Sequence, residues 1–211
     1  MSITTLLRRS LVFLCIMTAL TCAYTGALTL AGKALFPFQA EGSIITAKGR
    51  HYSSLLGQPF TAANHLWGRP VSADTDTYTD NGKPLLYAGP SNKSPATAAY
   101  ATTLQERAAR ILLAHPEKSG QPIPVDLLTE SGSGLDPHIS PAAAEFQVER
   151  LARATGFTAA EVRRTIAMYT QGRTLGLLGE ARVNVLEVNL ALEGLLPNGR
   201  TASVASAAAP R

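Results

Sequence analysis

The chain has 211 residues, a net charge of +4 and a hydrophobic share of 45%, which fits one folded domain with an appendage. This composition excludes a largely disordered chain, and a mean hydropathy of +0.07 excludes a protein with many membrane spans. Two cysteines are too few for a disulfide scaffold or a four-cysteine zinc site.

The surplus positive charge lies at the two ends of the chain. Arg8 and Arg9 are the only charged residues of segment 1–32, and segment 197–211 has two arginines and no acidic residue. The body, residues 33–196, carries 15 acidic and 15 basic residues. The pI of about 9.3 therefore describes no basic surface, and nucleic acid is not expected as a partner.

A long apolar segment comes first along the chain. Residues 10–32 contain no Asp, Glu, Lys, Arg, His or Pro. As a helix these residues span about 35 Å, enough to cross a hydrocarbon core of roughly 30 Å. We expect an uncleaved transmembrane helix, with residues 1–9 held in the cytoplasm by Arg8 and Arg9. The domain that follows Lys33 then lies outside, in the periplasm of a two-membrane bacterium.

Two alternatives stay open for this segment. A cleaved signal peptide has an apolar core of roughly 7–15 residues and an A-x-A-like site, whereas this run is longer and has no strict A-x-A triplet between Ala19 and Ala34. A lipoprotein or soluble periplasmic binding protein would be cleaved near Cys22, where the sequence matches a lipoprotein cleavage site poorly.

Small residues within the segment predict contacts with other membrane helices. Thr18, Cys22 and Gly26 recur every four residues, a spacing that lets helices approach closely in lipid. Cys15 and Cys22 lie about 10 Å apart along one helix, too far for a disulfide with each other. The rest of the chain has no thiol, which suits an oxidising compartment.

We expect residues 33–196 to form a mixed α+β domain, followed by a disordered tail at 197–211. Glycine and proline interrupt segment 43–90, which predicts short strands and loops, with an exposed polar loop over 72–84. Apolar residues three or four apart, beginning at Ala101, predict a helix over 96–115.

Capping signals and alternation predict the last three elements. A serine N-cap followed by proline at 140–141 predicts a helix that ends near Gly156. A Thr-x-x-Glu capping box at 158–161 predicts a helix to about residue 171. Alternating apolar residues over 182–192 predict a strand.

The segment 131–141, SGSGLDPHISP, brings Ser133, Asp136 and His138 close in sequence. An exported serine hydrolase that uses these three residues is the alternative function. Triad members normally come from distant segments and need an oxyanion hole, whereas this composition is typical of a turn that leads into an N-cap. We therefore expect a rigid loop, with Ser131, Ser133, Asp136 and His138 as candidate partner contacts.

Trp67 and Arg69 are further candidates for partner binding, since Trp and Arg are enriched in interface hot spots. The equal alternative is a half-buried Trp67 with the neighbouring guanidinium stacked on its ring. The four histidines show no helical pairing, so no metal site is expected. The chain has no nucleotide-binding fingerprint and no Asp-Lys-Thr-Gly phosphorylation motif, so we do not expect it to hydrolyse ATP by itself.

Several segments together resemble a known family, the C subunits (KdpC) of the Kdp potassium-transporting P-type ATPase. The resemblance covers residues 10–194, and its motifs occur in the same order as in the family. It rests on one membrane span near the N-terminus and on six motifs: Leu56-Gly57-Gln58, Trp67-Gly68-Arg69-Pro70, Pro124-Val125-Asp126-Leu127, SGSGLDPHISP, Thr174-Leu175-Gly176 and RVNVLEVNLALEG (182–194). The chain keeps Gly89-Pro90-Ser91-Asn92, but residues 83–88 depart from the family's glycine-rich stretch, which leaves the role of that loop open.

The resemblance implies a non-catalytic accessory subunit of a high-affinity, ATP-driven potassium import complex in the cell inner membrane. Its implied partners are a channel-like potassium-selecting subunit, a catalytic P-type ATPase subunit and a small single-helix subunit. No cofactor is expected on this chain, because the resemblance implies that ATP and potassium are bound elsewhere in the complex.

The family is also described as a catalytic chaperone that raises the ATP affinity of the catalytic subunit, with Gln58 implied as a contact. The expected topology places Gln58 outside, where ATP is scarce. We therefore favour stabilisation of the outer face of the channel-like subunit.

Overall fold

A computed structural model describes residues 2–71 and 89–197 and, between them, the backbone of the dipeptides 73–74, 79–80, 83–84 and 87–88. Nearly all of the tail predicted at 197–211 lies outside the described residues, and so does much of the loop predicted at 72–84. The chain divides into two compact units, Met1–Ser53 and Ser54–Arg211.

The first unit is built on one long helix, α1 (Ile3–Leu35), which contains the whole apolar segment predicted at 10–32. None of its residues is buried, and within the described chain it is the one helix long and apolar enough to cross a membrane. After α2 (Pro37–Ala40), β1 (Ile44–Ala47) and β2 (Arg50–Ser53) pair in an antiparallel hairpin.

The second unit mixes short strands with helices, which confirms the predicted fold class. Its described strands and α-helices in chain order are β3 (Ala73–Asp74), β4 (Thr79–Asp80), β5 (Lys83–Pro84), β6 (Tyr87–Ala88), α3 (Ala98–Ala114), β7 (His138–Ile139), α4 (Pro141–Phe146), α5 (Val148–Thr155), α6 (Ala159–Met168), β8 (Thr170–Gln171), β9 (Arg182–Asn184) and α7 (Val185–Leu192), and two 3-10 helices, Pro116–Lys118 and Val125–Leu127, lie between α3 and β7. The pairs β3–β6 and β4–β5 are antiparallel. The third sheet has the order β7-β9-β8 and is antiparallel throughout.

Local capping signals begin the helices where the sequence predicts. The Ser140 hydroxyl accepts a hydrogen bond from the Ala143 backbone N–H at 3.2 Å and begins α4. Both bonds of the Thr158–Glu161 capping box are present at the start of α6. The helix predicted over 140–156 is divided at Gln147 into α4 and α5, and it ends at Gly156 as predicted.

Two predicted helices differ from the structure in detail. Helix α3 is confirmed, but its buried face begins at Tyr100, whereas Ala101 is exposed. Helix α6 ends at Met168, before the predicted end near residue 171, because Thr170 and Gln171 pair with β9 as strand β8.

The strand predicted over 182–192 is wrong beyond its first three residues. The Asn184 side chain accepts a hydrogen bond from the Glu187 backbone N–H at 3.2 Å, which ends β9 and caps α7. Six of the eight residues of α7 are buried. A helix that is buried on most sides needs no polar face, so its sequence shows no 3.6-residue stripe.

The hydrophobic core of the second unit joins α3 to α7 and the third sheet. Its buried members are Leu66, Ile111, Leu127, Ile139, Ala143, Ala144, Phe146, Val148, Leu151, Val162, Ile166, Val183, Val185 and Val188. Leu66 is the contribution of the long loop before α3, so this loop is part of the core.

A buried arginine fixes this loop. Arg150 of α5 is only 3% exposed. Its Nη1 donates hydrogen bonds to the backbone carbonyls of Ala62, Ala63 and His65, and its guanidinium carbon lies 4.4 Å from the centre of the Trp67 ring. Burial lowers the pKa of Arg150 to about 10, so the side chain is still charged at neutral pH.

Neutral groups accept the remaining hydrogen bonds of Arg150. Its Nε donates to Nε2 of His115 at 2.9 Å, and its Nη2 donates to Oε1 of Gln147 at 2.6 Å. The Nδ1 of His115 lies 2.7 Å from the Ile111 carbonyl, so this network requires the neutral tautomer with the proton on Nδ1. Burial lowers the pKa of His115, which favours that neutral form.

The amides of Gln147, at the junction of α4 and α5, and of Asn189, in α7, bind the same loop. Gln147 accepts a hydrogen bond from the Trp67 N–H at 2.8 Å and donates to the Trp67 carbonyl at 3.0 Å. Asn189 accepts from the Leu66 N–H at 2.6 Å and donates to the Leu66 carbonyl at 3.0 Å. Two helices, α5 and α7, and the α4–α5 junction therefore bind the backbone of one loop.

We expect Arg150→Ala to lower the free energy of unfolding by about 3 kcal/mol or more, because buried acceptors then lose their donor. The matched control is Arg153→Ala on the same helix, where an exposed pair with Glu117 contributes less than about 1 kcal/mol. Urea unfolding of the full chain in mild detergent, followed by the fluorescence of Trp67, measures both. Equal stability of the two variants would contradict the structural role of Arg150.

Candidate functional site

The Leu56-Gly57-Gln58 segment packs directly on the SGSGLDPHISP loop. The Gly57 N–H donates a hydrogen bond to the Leu135 carbonyl at 2.7 Å. A Cβ atom on Gly57 would lie 2.7 Å from the Asp136 carbonyl oxygen, so glycine is required for this approach.

A second glycine contact joins the same loop to Gly89-Pro90-Ser91-Asn92. Gly134 has a φ of +73°, and a Cβ atom there would overlap the Gly89 carbonyl oxygen and lie 3.0 Å from the Gly89 nitrogen. Backbone therefore packs on backbone at this point, with no space for a side chain.

The segment that begins at Arg182 packs on the other side of the loop. The Val185 N–H donates to the Pro137 carbonyl at 3.0 Å, and His138 pairs with Asn184 in the sheet. The Asn184 side chain donates to the Ser54 carbonyl at 2.9 Å. Segments that are distant in sequence thus meet around residues 134–138.

Trp67 and Arg69 have different surroundings. Trp67 is half-buried, and the guanidinium stacked on its ring belongs to Arg150, not to its sequence neighbour Arg69. Arg69 donates to the Thr129 and Glu130 carbonyls at 3.3 and 2.8 Å, and its Nη1 lies 3.8 Å from Oδ2 of Asp136.

Three predicted site residues line one open cleft of about 400 Å³ in the second unit. We call it the charged cleft; its lining residues are Arg69, Asp126, Asp136, His138, Ile139, Ser140, Glu180, Ala181 and Arg182. The Asp126 carboxylate accepts a hydrogen bond from the Ser140 N–H at 2.8 Å. Burial lowers the pKa of His138, although Asp136 opposes this effect, so His138 is neutral at pH 7.

Asp126 and Arg182 were not among the predicted site residues. Asp126 lies in the Pro124–Leu127 motif and Arg182 begins the RVNV motif. Their place in these motifs is the feature of the sequence that could have identified them as site residues. Their mixed charges give the cleft the polar character of an interface rim.

The serine residues of the loop do not assemble a hydrolase site. Ser133 is exposed, and its hydroxyl lies 3.3 Å from that of Ser131 and accepts a hydrogen bond from the Leu135 N–H at 3.3 Å. The Nδ1 of His138 lies 3.4 Å from Asp136, but no hydrogen bond among the described residues joins His138 to Ser133. The geometry therefore gives the serine hydrolase no support.

Gln58 lines a small pocket of about 10 Å³ with Leu56, Gly57, Phe60, Gly68, Asp136, Pro137, Val185 and Leu186. This volume is smaller than the roughly 300–1,000 Å³ of pockets that enclose ligands of drug size. The charged side chain among its lining residues is the carboxylate of Asp136, which repels phosphate. The residues around Gln58 do not fit a nucleoside triphosphate.

The small residues of α1 share a helix face, since Thr18, Cys22 and Gly26 are four residues apart. All three are exposed, and Cys15 and Cys22 are free thiols. The face is available to another helix, and its packing role stays a prediction.

Comparison with known proteins identifies the family. Residues 7–194 match the family described as "KdpC: K+-transporting ATPase, c chain". The chain belongs to the KdpC family. The predicted family is thereby confirmed, and the chain is a KdpC subunit of the K⁺-transporting ATPase.

Three relatives named "Potassium-transporting ATPase KdpC subunit" support this assignment. The protein from Clostridium botulinum is 50% identical over 175 residues, which cover 82% of this chain and 87% of the relative. The protein from Clostridium perfringens is 46% identical over 194 residues, with 90% and 98% covered. The protein from Sorangium cellulosum is 49% identical over 194 residues, with 89% and 97% covered.

Four of the segments that carry the resemblance to KdpC meet in the second unit. The segments beginning at Leu56, Ser131 and Arg182 touch through backbone hydrogen bonds or sheet pairing, and Arg69 reaches Asp136 from the fourth. These KdpC motifs pack into one cluster, and we call its exposed side the motif face.

We expect Gly134→Ala to destabilise this KdpC family member by about 2 kcal/mol or more, because a side chain there is strained by the positive φ and collides with Gly89. Gly132→Ala is the matched control in the same loop, where a Cβ atom meets nothing within 4 Å and the expected change is below about 0.5 kcal/mol. Thermal unfolding of both full-length variants measures the difference. A Gly134→Ala variant as stable as the control would show that the loop does not need this close backbone contact.

Proposed function

We propose that this chain is a non-catalytic accessory subunit of a high-affinity, ATP-driven potassium import complex, which it assembles or stabilises. The observation that carries the proposal is the match of residues 7–194 to the c chain of the K⁺-transporting ATPase. The motif face supplies the docking surface. A half-buried tryptophan, a cleft lined by mixed charges and an ordered loop are features that protein interfaces share.

The proposed topology is a single-pass anchor in the cell inner membrane. Helix α1 crosses the membrane, residues 1–9 are cytoplasmic and residues 33–196 form the periplasmic domain. Arg8 and Arg9, which precede the apolar segment, support this orientation through the positive-inside rule. The position of both cysteines in α1 also supports it, since the exported domain then has no thiol to mispair.

The proposed partners are a channel-like potassium-selecting subunit, a catalytic P-type ATPase subunit and a small single-helix subunit. Within the membrane, the face of Thr18, Cys22 and Gly26 packs against a partner helix. Outside it, the motif face docks on the outer surface of the channel-like subunit through Trp67, Arg69 and the loop from Ser131 to His138.

ATP and potassium are bound by the other subunits in this proposal. The small pocket at Gln58, with an acidic side chain in its lining, supports this division, because a triphosphate needs cationic or N–H-rich surroundings. A raised ATP affinity of the catalytic subunit then results from docking, not from contact between Gln58 and ATP.

Co-purification tests the accessory role. The full chain with a C-terminal tag, expressed with the other ATPase subunits and solubilised in mild detergent, is expected to bring down the catalytic P-type subunit, because docking and helix packing hold the complex together. A tagged single-pass protein of unrelated sequence is the control. Recovery of the chain alone would refute the proposal.

Cysteine labelling tests the orientation. In a chain with Cys15→Ser and Cys22→Ser, we expect a membrane-impermeant maleimide to label Gln58→Cys when only the outer face is accessible. Ser2→Cys is the matched control, which should react only after the membrane is permeabilised. Labelling of Gln58→Cys from the cytoplasmic side alone would reverse the topology and bring Gln58 within reach of ATP.

A further inference from the structure

His115 is a titratable side chain that is wholly enclosed by the second unit. It ends α3, and its exposed fraction is 0%. Its ring meets the Trp67 ring edge to face, with 5.7 Å between the ring centres, and the centre of the Phe146 ring of α4 lies 5.2 Å away. Arg150 of α5 donates a hydrogen bond to it. The His115 ring therefore reaches solvent only when these segments separate.

The hydrogen bonds of His115 require its neutral form. Its Nδ1 donates to the Ile111 carbonyl at 2.7 Å, so its Nε2 has a lone pair that accepts from Nε of Arg150 at 2.9 Å. A protonated imidazole carries a hydrogen on both nitrogens and has no acceptor left. Protonation sets two N–H groups against each other at this distance and adds a second buried cation beside Arg150. The hydrogen bond cannot form in that state, and Nε of Arg150 loses its acceptor.

The charged groups around His115 do not stabilise a protonated ring. On α5, Arg150 and Arg153 oppose protonation, whereas Glu117 of the short 3-10 helix after α3 favours it. The Glu117 carboxylate is already paired with Arg153 at 2.9 Å, and Lys118 is paired with a glutamate of α5 at 3.1 Å. Burial is the largest effect, and it lowers the pKa of His115 although the backbone hydrogen bond of the ring and Glu117 act in the opposite direction.

This environment makes acid favour a state in which the His115 ring is released. A released ring in water has the ordinary pKa of about 6.5, whereas the enclosed ring has a lower pKa. Between these two pKa values the released state binds one more proton. The ratio of released to enclosed molecules therefore rises by up to tenfold for each pH unit below about 6.5. Above that pH the enclosed state keeps its full stability.

The loop of residues 62–67 is the segment that this release sets free. Arg150 binds the loop through three backbone carbonyls, and Trp67 contacts both the Arg150 guanidinium and the His115 ring. Segment 54–71 contains no helix or strand. It therefore opens at a lower cost in free energy than the helices that surround it.

We propose that His115 and Arg150 form an acid-sensitive latch on this loop. Protonation of His115 breaks its hydrogen bond with Arg150, the loop of residues 62–67 leaves the core, and the motif face, to which Trp67 and Arg69 belong, docks less tightly. With the proposed topology the latch responds to the pH outside the cytoplasm. Release of the loop is a property of the chain alone, whereas the change in docking rests on the proposed function.

Hydrogen exchange of the full chain in mild detergent, followed by NMR, tests the latch. The backbone N–H groups of Leu66 and Trp67 are bound by side chains of other segments, so they exchange when the loop opens. We expect their protection factors, corrected for the intrinsic exchange rate at each pH, to fall by about tenfold between pH 7.5 and pH 5.0. Protection factors that do not change with pH would exclude the latch.

Two histidine variants separate His115 from the other groups that titrate. In His115→Gln the amide can accept from Arg150 and donate to the Ile111 carbonyl but takes up no proton, so the fall is expected to shrink to less than about threefold. His51→Gln, at an exposed histidine of β2, is the matched control and should keep the tenfold fall. Equal falls in the two variants would assign the effect to another group, such as His138, and overturn the latch.

The His115 ring itself gives a readout that needs no variant. The ¹⁵N chemical shifts of the imidazole are expected to show a neutral ring at pH 7.5, with the proton on Nδ1 and a pKa below 6.5. A ring that is protonated at pH 7.5, or that carries its proton on Nε2 alone, contradicts the hydrogen bond on which the latch depends.

Co-purification at two pH values tests the effect on docking. The tagged wild-type chain is expected to recover at least about threefold less of the other ATPase subunits at pH 5.0 than at pH 7.5, and His115→Gln to lose less. If the wild-type chain recovers them equally at both pH values, or if both chains lose recovery equally, the docking step fails while the proposed function stands. If the wild-type chain recovers no partner at pH 7.5, the proposed function fails, and hydrogen exchange decides whether the latch exists.

Discussion

The fork of hydrogen bonds from Arg150 is the constraint on which the rest of the second unit depends. A planar guanidinium can bind several acceptors at fixed angles, and here it binds three carbonyls of one loop together with neutral His115 and Gln147. No salt bridge among the described residues involves Arg150. The charge is stabilised by dipoles and by the face of Trp67, and these contacts hold the loop in place.

The position of this loop determines where the motif face forms. Trp67 ends the part of the loop that Arg150 binds, and two residues later Arg69 reaches the carbonyls of 129–130 and the carboxylate of Asp136. Glycines then allow the neighbouring segments to touch through their backbones, at Gly57 and at Gly134. A buried arginine and two close backbone contacts thus hold the charged cleft and the loop beside it.

Different parts of this arrangement were predictable to different degrees. The caps at Ser140 and Thr158 were predicted correctly, because a cap is a contact between residues three positions apart. The strand predicted over 182–192 is confirmed at 182–184 and wrong beyond residue 184, because burial of α7 by distant segments removes the polar stripe by which a helix is recognised. Arg150 resembles a surface residue of an amphipathic helix in sequence, and its burial depends on a loop more than 80 residues away.

The sequence by itself determined the apolar N-terminal helix, the neutral body of the chain, the helix caps and the family, since these depend on composition, on near neighbours or on motifs in order. The tertiary structure alone decided which guanidinium stacks on Trp67, that the motifs form one cluster, and that the residues around Gln58 do not fit a triphosphate. Each of these depends on contacts between segments that are far apart in sequence, and burial is a property of the folded chain as a whole.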